Sequence, residues 1–336
     1  MQCNYCERRC NIAENKSGIC QAYTFTNDEI QEEYPFHWTS MGVSHIESIP
    51  FYHIYPGSRS LLIGSIGCNF DCSYCSNSYV AKENPEKVFK YTLKPEQVVS
   101  KCRQLGCHNI VFAINEPVMS LPSLLELSRV CKRNHIEMGC LSNGYMTEES
   151  AKLMADIFSF INISLKGMSS EFYLKYTGAP TVEPVLRNIE YFYSRIHLEM
   201  TTPIIQTVND RDIPTITSFI KKIDPAIPWH VFRLLPEYHM KEMEYPAINE
   251  INIALQGARE QLDYIYFSNF VGSDWVSTIC PECGKMLIER ISLGGCGGKV
   301  INYCLDDTRP GSCPACGHSI NVKGGKISWE AGEGLL

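Results

Sequence analysis

The stretch from Gly64 to Asn77 most constrains what this chain can fold into. It reads G-S-I-G-C-N-F-D-C-S-Y-C-S-N and follows an apolar run, Leu61 to Ile63, that is typical of a buried strand. Cys68, Cys72 and Cys75 therefore leave the strand together on one short loop, which can wrap a single metal cluster. Thiolates are the usual ligands of iron–sulfur clusters, and most simple clusters need four of them. The loop offers three thiolates, so one iron of such a cluster would have no protein ligand. The alternative to a cluster is a three-cysteine zinc site or a chance grouping of cysteines.

The same loop resembles the fingerprint of the radical S-adenosylmethionine (SAM) superfamily, in which an aromatic residue, here Tyr74, precedes the third cysteine. The resemblance implies that Cys68, Cys72 and Cys75 hold a [4Fe-4S] cluster whose open iron binds the amino and carboxylate groups of SAM. It also implies that the reduced cluster passes an electron to the sulfonium, which breaks the S–C5′ bond and gives a 5′-deoxyadenosyl radical. A low-potential electron donor of the flavodoxin or ferredoxin type is the partner that this chemistry requires.

Composition excludes several classes of protein. The net charge of −7 provides no basic field for a nucleic-acid backbone, so nucleic acid is not expected as a partner. The absence of an apolar signal segment and of any run of about 18 apolar residues predicts a cytoplasmic protein with no membrane partner. The 17 cysteines are an odd number and mostly stand at metal-like spacings, which favours metal ligation over disulfides. An exposed cluster with an open iron also implies an anaerobic or strongly reducing cell.

Four cysteines, Cys3, Cys6, Cys10 and Cys20, open the chain. They are enough to close a tetrahedral metal site, so we interpret them as a small metal knuckle. Zinc and an additional iron–sulfur cluster both fit, because spacing alone does not separate them. Free thiols on a disordered terminus are the alternative. The following residues, as far as position 59, are rich in aromatic side chains and are expected to wrap from the knuckle onto the main domain.

From about residue 60, short apolar runs alternate with amphipathic stretches, which predicts βαβ units and a parallel sheet. The predicted strands are Ser60 to Ile66, Asn109 to Ala113, Glu137 to Leu141, Phe160 to Leu165, His197 to Ile205 and His230 to Leu235. The predicted helices include Pro95 to Leu105, Leu121 to Asn134, Thr147 to Phe158 and Val182 to Tyr193. Six such units make a partial (β/α)6 TIM-like barrel, the architecture that the resemblance implies. Loops at the carboxyl ends of its strands would meet at one mouth.

The motif after the second predicted strand is Ile114-Asn115-Glu116-Pro117. It resembles the G-G-E-P motif of the pyruvate formate-lyase activating enzymes and, more closely, the N-E-P motif of the AmmeMemoRadiSam group. The resemblance implies that Asn115 and Glu116 hold the amino end of SAM. For Glu116, a solvated loop carboxylate is the alternative.

Three further polar residues follow later strands. Asn143 lies in S-N-G-Y, which parallels T-N-G of the activating enzymes, and a simple turn suits the same residues equally well. Lys166 ends an apolar strand as S-L-K-G, where those enzymes carry D-L-K. A buried lysine needs an anionic partner, and a carboxylate of SAM or of a substrate would serve. His239, in L-P-E-Y-H-M, parallels the L-P-Y-H histidine that lies near SAM, with one residue inserted.

Near the carboxyl end, two C-P-x-C-G knuckles supply four cysteines: Cys280, Cys283, Cys313 and Cys316. Such thiolates bind one tetrahedral metal, as in zinc ribbons and rubredoxin-like sites, and zinc and iron both fit. A module of this size folds only with its metal and would cover the barrel mouth, dock a partner or pass electrons. Cys296 and Cys304, between the knuckles, are unliganded or supply an alternative site.

The order of these motifs resembles the AmmeMemoRadiSam branch of the radical SAM proteins, which is related to the glycyl-radical activating enzymes. The predicted domains are a knuckle and wrapping segment (1–59), a partial barrel (60–272) and a four-cysteine ribbon (273–336). The resemblance implies hydrogen abstraction from a protein or small-molecule substrate, with activation of a glycyl-radical enzyme as the closest well-known reaction. A maturation or modifying enzyme that uses auxiliary metal centres, or a non-catalytic metal-binding scaffold, is the alternative.

Overall fold

The computed structural model describes residues 1–292, 294–305 and 311–327. These residues contain sixteen strands: β1 (Lys16–Ser17), β2 (Tyr23–Thr26), β3 (Glu29–Glu32), β4 (His37–Trp38), β5 (Ser40–His45), β6 (Arg59–Gly64), β7 (Tyr91–Thr92), β8 (Asn109–Phe112), β9 (Glu137–Ser142), β10 (Phe160–Ser164), β11 (His197–Ile204), β12 (Trp229–Arg233), β13 (Ile265–Ser268), β14 (Thr278–Ile279), β15 (Met286–Ser292) and β16 (Gly298–Tyr303). They also contain nine α-helices: α1 (Ser78–Ala81), α2 (Pro95–Gln104), α3 (Leu121–Arg133), α4 (Glu148–Ile157), α5 (Ser170–Thr177), α6 (Glu183–Tyr193), α7 (Ile213–Ile223), α8 (Ile248–Ala254) and α9 (Gln256–Arg259). None of these described helices has the length and apolar character needed to cross a membrane.

Eight of the strands form one sheet, in the order β13-β12-β11-β10-β9-β8-β6-β5. Every neighbouring pair from β6 to β13 is parallel, and β5 pairs with β6 in the antiparallel sense at the edge. Parallel neighbours require crossover connections, and helices such as α2, α3 and α4 provide them. The structure therefore confirms an α/β fold with a mostly parallel central sheet.

All six predicted strands are present in this sheet, and their ends differ from the predicted ones by at most two residues. The prediction missed β5 and β13. β13 is a seventh parallel strand, but β14 follows it along the chain instead of a helix, so it adds no further β/α unit. The partial-barrel closure stays a prediction, as do the domain bounds 1–59, 60–272 and 273–336; the last domain also includes residues outside the described ranges.

Local sequence explains these elements. All four residues of β8 and of β13 are buried, as expected for parallel strands covered on both faces. At the start of α4, Thr147 Oγ1 accepts the Ser150 backbone N–H at 3.2 Å, which satisfies one of the free donors of the first turn. Thr147 therefore caps the amino end of this helix.

The segment that precedes β6 is held against β11 by one buried carboxylate. Glu199 accepts the backbone N–H groups of Tyr52 and His53 at 2.9 Å each. It also accepts hydrogen bonds from His197 Nε2 at 3.0 Å and His230 Nε2 at 2.6 Å. Burial alone would raise the pKa of Glu199, but the two imidazoles hold this pKa well below its usual range. The wrapping segment is therefore fixed by ionic hydrogen bonds.

Besides the central sheet, the described residues form two three-stranded sheets, β1-β2-β3 near the amino terminus and β14-β15-β16 near the carboxyl terminus, and a two-stranded sheet of β4 and β7. Arg290 in β15 attaches the sheet near the carboxyl terminus to the wrapping segment. It donates to Tyr52 O at 2.6 Å and to Thr278 Oγ1 at 2.8 Å, and its Nε lies 4.0 Å from Glu47 Oε1. Arg290 and Glu47 are both buried, so the module is joined to the central domain through a desolvated ion pair.

Candidate functional site

A cavity of about 310 Å³ lies at the carboxyl ends of the parallel strands. Ligands bind at this edge in open α/β sheets. Its lining includes eight of the predicted site residues: Cys68, Cys72, Tyr74, Cys75, Asn115, Glu116, Asn143 and Lys166. The structure thus brings together residues from the loops after β6, β8, β9 and β10. Their individual contacts with SAM remain predictions.

Backbone hydrogen bonds fix the three-cysteine loop. The Asp71 N–H donates to Thr177 O at 2.7 Å, and the Ser73 N–H donates to Tyr176 O at 3.0 Å. Both acceptors belong to α5, so the end of this helix holds the middle of the loop. The chain enters the loop at Gly67 with a φ of 82°, a conformation that residues with a side chain rarely adopt.

The thiols of this loop are free; Cys72 is buried, and Cys68 and Cys75 are half-buried. Burial raises the pKa of Cys68 to about 12, and the positive charge of Lys82 opposes this rise. The Phe70 N–H and Asn143 Nδ2 point at Cys68 Sγ from 3.4 and 3.7 Å. Such donors favour a thiolate, which is the form that ligates a metal. The donor set therefore fits a cluster with three protein ligands.

Asn115 ties the loop after β8 to the start of the cysteine loop. Its Oδ1 accepts the Ser65 N–H at 2.8 Å, and its Nδ2 donates to Ser65 Oγ at 3.1 Å and to Gly67 O at 2.9 Å. The preceding residue, Ile114, has a φ of 80°, which is unusual for a β-branched side chain. Asn77 Nδ2 donates to Ile114 O at 2.7 Å and helps to hold this backbone in place.

Glu116 is buried in the cavity wall, with 3% of its surface exposed. Its carboxylate accepts the Asn143 N–H at 2.7 Å, Ser142 Oγ at 2.9 Å and the Val118 N–H at 3.4 Å. Burial nevertheless raises the pKa of Glu116 to about 7. A desolvated carboxylate gains from a cationic partner, such as an ammonium group. The alternative of a solvated loop carboxylate is wrong.

Asn143 serves both a turn and the cysteine loop. Its Oδ1 accepts the Tyr145 N–H at 2.9 Å, as in an Asx turn. Its Nδ2 donates to Asn69 Oδ1 at 2.7 Å and lies 3.7 Å from Cys68 Sγ. The turn explains why asparagine suits this position, and the amide then contacts the residues that hold the cluster loop.

Lys166 brings a positive charge to the cavity. Its backbone is fixed by Tyr173 Oη, which accepts its N–H at 3.2 Å, and by Asn209 Nδ2, which donates to its carbonyl at 2.7 Å. Lys166 Nζ lies 5.7 Å from the ring centroid of Tyr74. The Tyr74 hydroxyl is buried and finds no hydrogen-bond partner among the residues that the structure describes. A buried hydroxyl without a partner in a cavity wall marks a place where a polar ligand fits.

His239 lies outside the residues that line this cavity. Its ring is exposed and stacks on Tyr238 with a centroid distance of 3.7 Å. Its backbone N–H donates to Ser73 O at 2.9 Å, so the segment contacts the cysteine loop through its main chain. The imidazole itself is not brought together with the other predicted site residues, and its contact with SAM stays a prediction.

The lining residues that the sequence did not identify as site residues include Arg233, Asn269 and Cys296. Arg233 and Asn269 are linked by two hydrogen bonds, of 3.1 and 2.8 Å, between the backbone of the former and the amide of the latter. A cation at the end of an apolar strand was the signal that identified Lys166. The same signal is present at Arg233, which ends β12.

The C-terminal knuckles form a compact four-thiol site. Its Sγ atoms are 3.7 Å apart for Cys280 and Cys316 and 3.6 Å apart for Cys283 and Cys313. All four ligand atoms lie within 4.8 Å of one another. One tetrahedral ion with metal–sulfur bonds of about 2.3 Å requires such separations. This cysteine cluster can therefore bind one metal ion, and its thiolates suit zinc and iron equally.

The N-terminal cysteines pack into the main apolar core. Cys3, Cys6 and Cys20 are buried, and Cys10 is partly exposed. Burial raises the pKa of Cys6 to about 12, and the nearby charges of Cys20 and Cys3 add to the rise. The four thiols are therefore close neighbours, and the alternative of a disordered terminus is wrong.

Comparisons with known proteins agree with this geometry. A profile of the radical SAM superfamily matches residues 62–220. An uncharacterized protein of Methanocaldococcus jannaschii is 28% identical over 96% of this chain and 95% of its own length. A Thermococcus kodakarensis protein named as a GTP 3′,8-cyclase is 28% identical over 46% of this chain and 50% of its own. An M. jannaschii protein named as a glycyl-radical enzyme activating enzyme is 22% identical over 65% of this chain and 92% of its own length. Since the matched residues include the loop of Cys68, Cys72 and Cys75, residues 62–220 contain a domain of the radical SAM type.

Proposed function

We propose that this chain is an enzyme that reductively cleaves SAM and uses the resulting 5′-deoxyadenosyl radical to abstract hydrogen from a substrate. The observation that carries the proposal is the shared cavity of three free thiols, a buried carboxylate and a lysine. When bound to the thiols, a [4Fe-4S] cluster supplies the single electron that breaks the S–C5′ bond.

The charged residues of the cavity suit the amino-acid end of SAM, which carries an ammonium and a carboxylate group. Glu116 offers a desolvated carboxylate to the ammonium group, and its hydrogen bonds to the loop after β9 keep it in one position. Lys166 offers its ammonium to the carboxylate of SAM. Opposite charges at fixed positions orient a zwitterion more strictly than either charge would alone.

Apolar side chains on the cavity wall limit access of water. Phe70 and Leu234 are each 1% exposed, and the Phe70 ring packs against those of Tyr145 and Tyr173 at 5.3 and 5.8 Å. Exclusion of solvent protects a reactive intermediate from side reactions and strengthens the electrostatic contacts around it.

The substrate is a protein or a small molecule, and activation of a glycyl-radical enzyme is the closest well-known reaction class. The chain fits the AmmeMemoRadiSam-type branch by its motif order. A flavodoxin- or ferredoxin-type protein in the cytoplasm would supply the electron, and the net charge of −7 supports no nucleic-acid partner. The named relatives differ in their reactions, so they support the cofactor chemistry and not one substrate.

Anaerobic reconstitution with iron, sulfide, SAM and dithionite tests the proposal. We expect 5′-deoxyadenosine from the wild type and none from a Cys72→Ala variant. Cys131→Ala is the matched control, because Cys131 is a buried thiol on α3 outside the cavity. A wild type with a fully loaded cluster and no 5′-deoxyadenosine would support the metal-binding scaffold instead.

A maturation or modifying reaction with auxiliary metal centres is the second candidate. The compact thiol set of Cys280, Cys283, Cys313 and Cys316 favours it, because a simple activating enzyme has no need of an additional metal site. Loss of hydrogen abstraction but not of SAM cleavage in a Cys283→Ser variant would support this candidate.

A further inference from the structure

Two of the four N-terminal cysteines, Cys6 and Cys20, contact the loop that carries Cys68. Cys3, Cys6 and Cys20 are at most 8% exposed, although they lie close to the chain terminus. The Cys3 N–H donates to Cys10 O at 2.9 Å and folds the segment back on itself. All of these thiols are free. A group of free thiols is therefore held inside the protein at a defined place.

Asn69 connects the two sets of thiols. Its side chain hydrogen-bonds the Cys6 thiol, and its Oδ1 lies 3.9 Å from Cys68 Sγ. Its carbonyl oxygen accepts Arg8 Nε at 2.8 Å, which fastens the N-terminal segment to the loop. Only one side chain therefore separates a thiol of each set.

Close packing at Gly67 brings a second N-terminal cysteine to the same loop. A methyl group on Gly67 would come within 2.3 Å of the Cys20 carbonyl oxygen, so glycine is needed for this contact. Cys20 and Cys68 also line one cavity of about 230 Å³. Two independent contacts thus place the N-terminal thiols beside the proposed catalytic centre.

The spacing of these thiols differs from that of a single-ion site. Among the residues that the structure describes, the C-terminal cysteines are the group whose ligand atoms all lie within 4.8 Å of one another. The N-terminal thiols are more widely spaced, as are those of the Cys68 loop, to which the family assigns a four-iron cluster. A four-iron cluster separates its cysteines farther than one ion does. The N-terminal set and the cluster loop therefore both lack the close spacing of the C-terminal single-ion site.

We propose that Cys3, Cys6, Cys10 and Cys20 hold a second [4Fe-4S] cluster and that this cluster passes electrons to the one on the Cys68 loop. Four thiolates saturate all four irons, so this cluster has no open corner for SAM. Cys10 is its most exposed ligand, which gives an electron donor access from the surface.

The electron transfer, which rests on the proposed SAM cleavage, is a one-electron step without bond changes. A reduced flavodoxin- or ferredoxin-type donor loses one electron and the N-terminal cluster gains it. The N-terminal cluster then returns to its oxidised state as the loop cluster is reduced. No proton or leaving group is exchanged in either step.

A chain with Cys68, Cys72 and Cys75 all changed to alanine isolates the second cluster. After anaerobic reconstitution we expect it to retain about four irons and four acid-labile sulfides, with an EPR signal in the reduced state that SAM does not alter. Sulfide is the deciding measurement, because the C-terminal single-ion site contains none. Zinc without sulfide in this variant overturns the proposal.

Cys10→Ser in an otherwise wild-type chain is a second test. Because the Cys10 side chain is partly exposed, we expect this variant to fold. We expect its SAM-insensitive EPR signal in the reduced state to change, because one iron of the second cluster loses its thiolate ligand. The control is Cys107→Ser, which changes a partly exposed cysteine outside all three metal sets and should leave this signal unchanged. An unchanged SAM-insensitive signal in Cys10→Ser overturns the proposal.

The electron path is tested by comparing two reductants in Cys10→Ser. We expect the ratio of flavodoxin-driven to dithionite-driven 5′-deoxyadenosine formation to fall well below that of the wild type. An unchanged ratio overturns the path. If the wild type cleaves no SAM with either reductant, the proposed function fails, while the sulfide content still decides whether the second cluster exists.

Discussion

The Glu116 carboxylate accepts the Asn143 backbone N–H at 2.7 Å and so joins the loops that follow β8 and β9. The carboxylate lies in the cavity wall, where 3% of the surface of Glu116 is exposed. Burial outweighs the three donors around the carboxylate and raises the pKa of Glu116 to about 7. A cationic ligand would complete the compensation, and this expectation leads to the first two predictions.

Glu116→Gln should weaken SAM binding by about 1.5 to 3 kcal/mol, because the ammonium group loses a charged hydrogen-bond acceptor. The variant keeps the size of the side chain and most of its contacts. The measurement is a SAM titration followed by the change that SAM causes in the EPR signal of the reduced cluster. Glu183→Gln, at the exposed start of α6, is the control. Equal affinities for the wild type and Glu116→Gln would show that Glu116 does not bind SAM.

Glu116 should also make folding stability depend on pH. Its folded-state pKa lies above the unfolded value of 4.5, so the folded state favours the neutral carboxyl group. The resulting stabilisation is complete below pH 4.5 and is lost as the pH rises through about 7. Relative to Glu116→Gln, the free energy of unfolding of the wild type should fall by up to about 3 kcal/mol between these limits. Urea unfolding of both proteins at each pH measures it, and a constant difference would contradict it.

How far the sequence predicted this site can be judged from Lys166 and Ile114. Lys166 was found because a charged residue ended an apolar strand, and strand ends converge at one edge of a parallel sheet. The same rule brought Glu116 and Asn143 into the site correctly. This rule gave no information about the backbone of Ile114, which has a φ of 80°. The only sign in the sequence was that the related G-G-E-P motif has glycine at this position.

Long-range contacts account for what the sequence did not predict. The strand β5 has no clear alternation and forms because β6 offers it an open edge. The position of His239 depends on its main-chain bond to Ser73, which no local pattern encodes. Glu199 binds a segment 146 and 147 positions away, and a sequence pattern gives no sign of that pairing.

Arg290→Met should destabilise the protein by about 3 to 5 kcal/mol, because it leaves the Glu47 carboxylate buried without its partner. It also removes the hydrogen bonds to Tyr52 O and Thr278 Oγ1. Chemical denaturation of the metal-loaded protein measures the loss. The double variant Arg290→Met/Glu47→Gln should recover part of it, since no buried charge remains uncompensated. If the double variant is the less stable of the two, charge burial is not the cause.

Cys316→Ser should abolish metal binding at the C-terminal knuckles, because three thiolates and a hydroxyl close a tetrahedral site poorly. The region that includes β15 and β16 should then become sensitive to proteases, since such a module depends on its metal to fold. Elemental analysis identifies the lost metal as zinc or iron. Cys304→Ser, which lies outside the four-thiol set, should leave both properties unchanged. Retention of the metal in Cys316→Ser would exclude Cys316 as a ligand.

Lys166→Met should raise the KM for SAM roughly tenfold, because the SAM carboxylate loses its cationic partner. The maximal rate of 5′-deoxyadenosine formation at saturating SAM should change little, since Lys166 binds the ground state and the transition state equally. Lys166→Arg should recover part of the affinity, as the charge is kept while the geometry beside Tyr74 differs. Lys175→Met, an exposed lysine on α5, is the control. A lower maximal rate with an unchanged KM would place Lys166 on the substrate or on the cluster rather than on the SAM carboxylate.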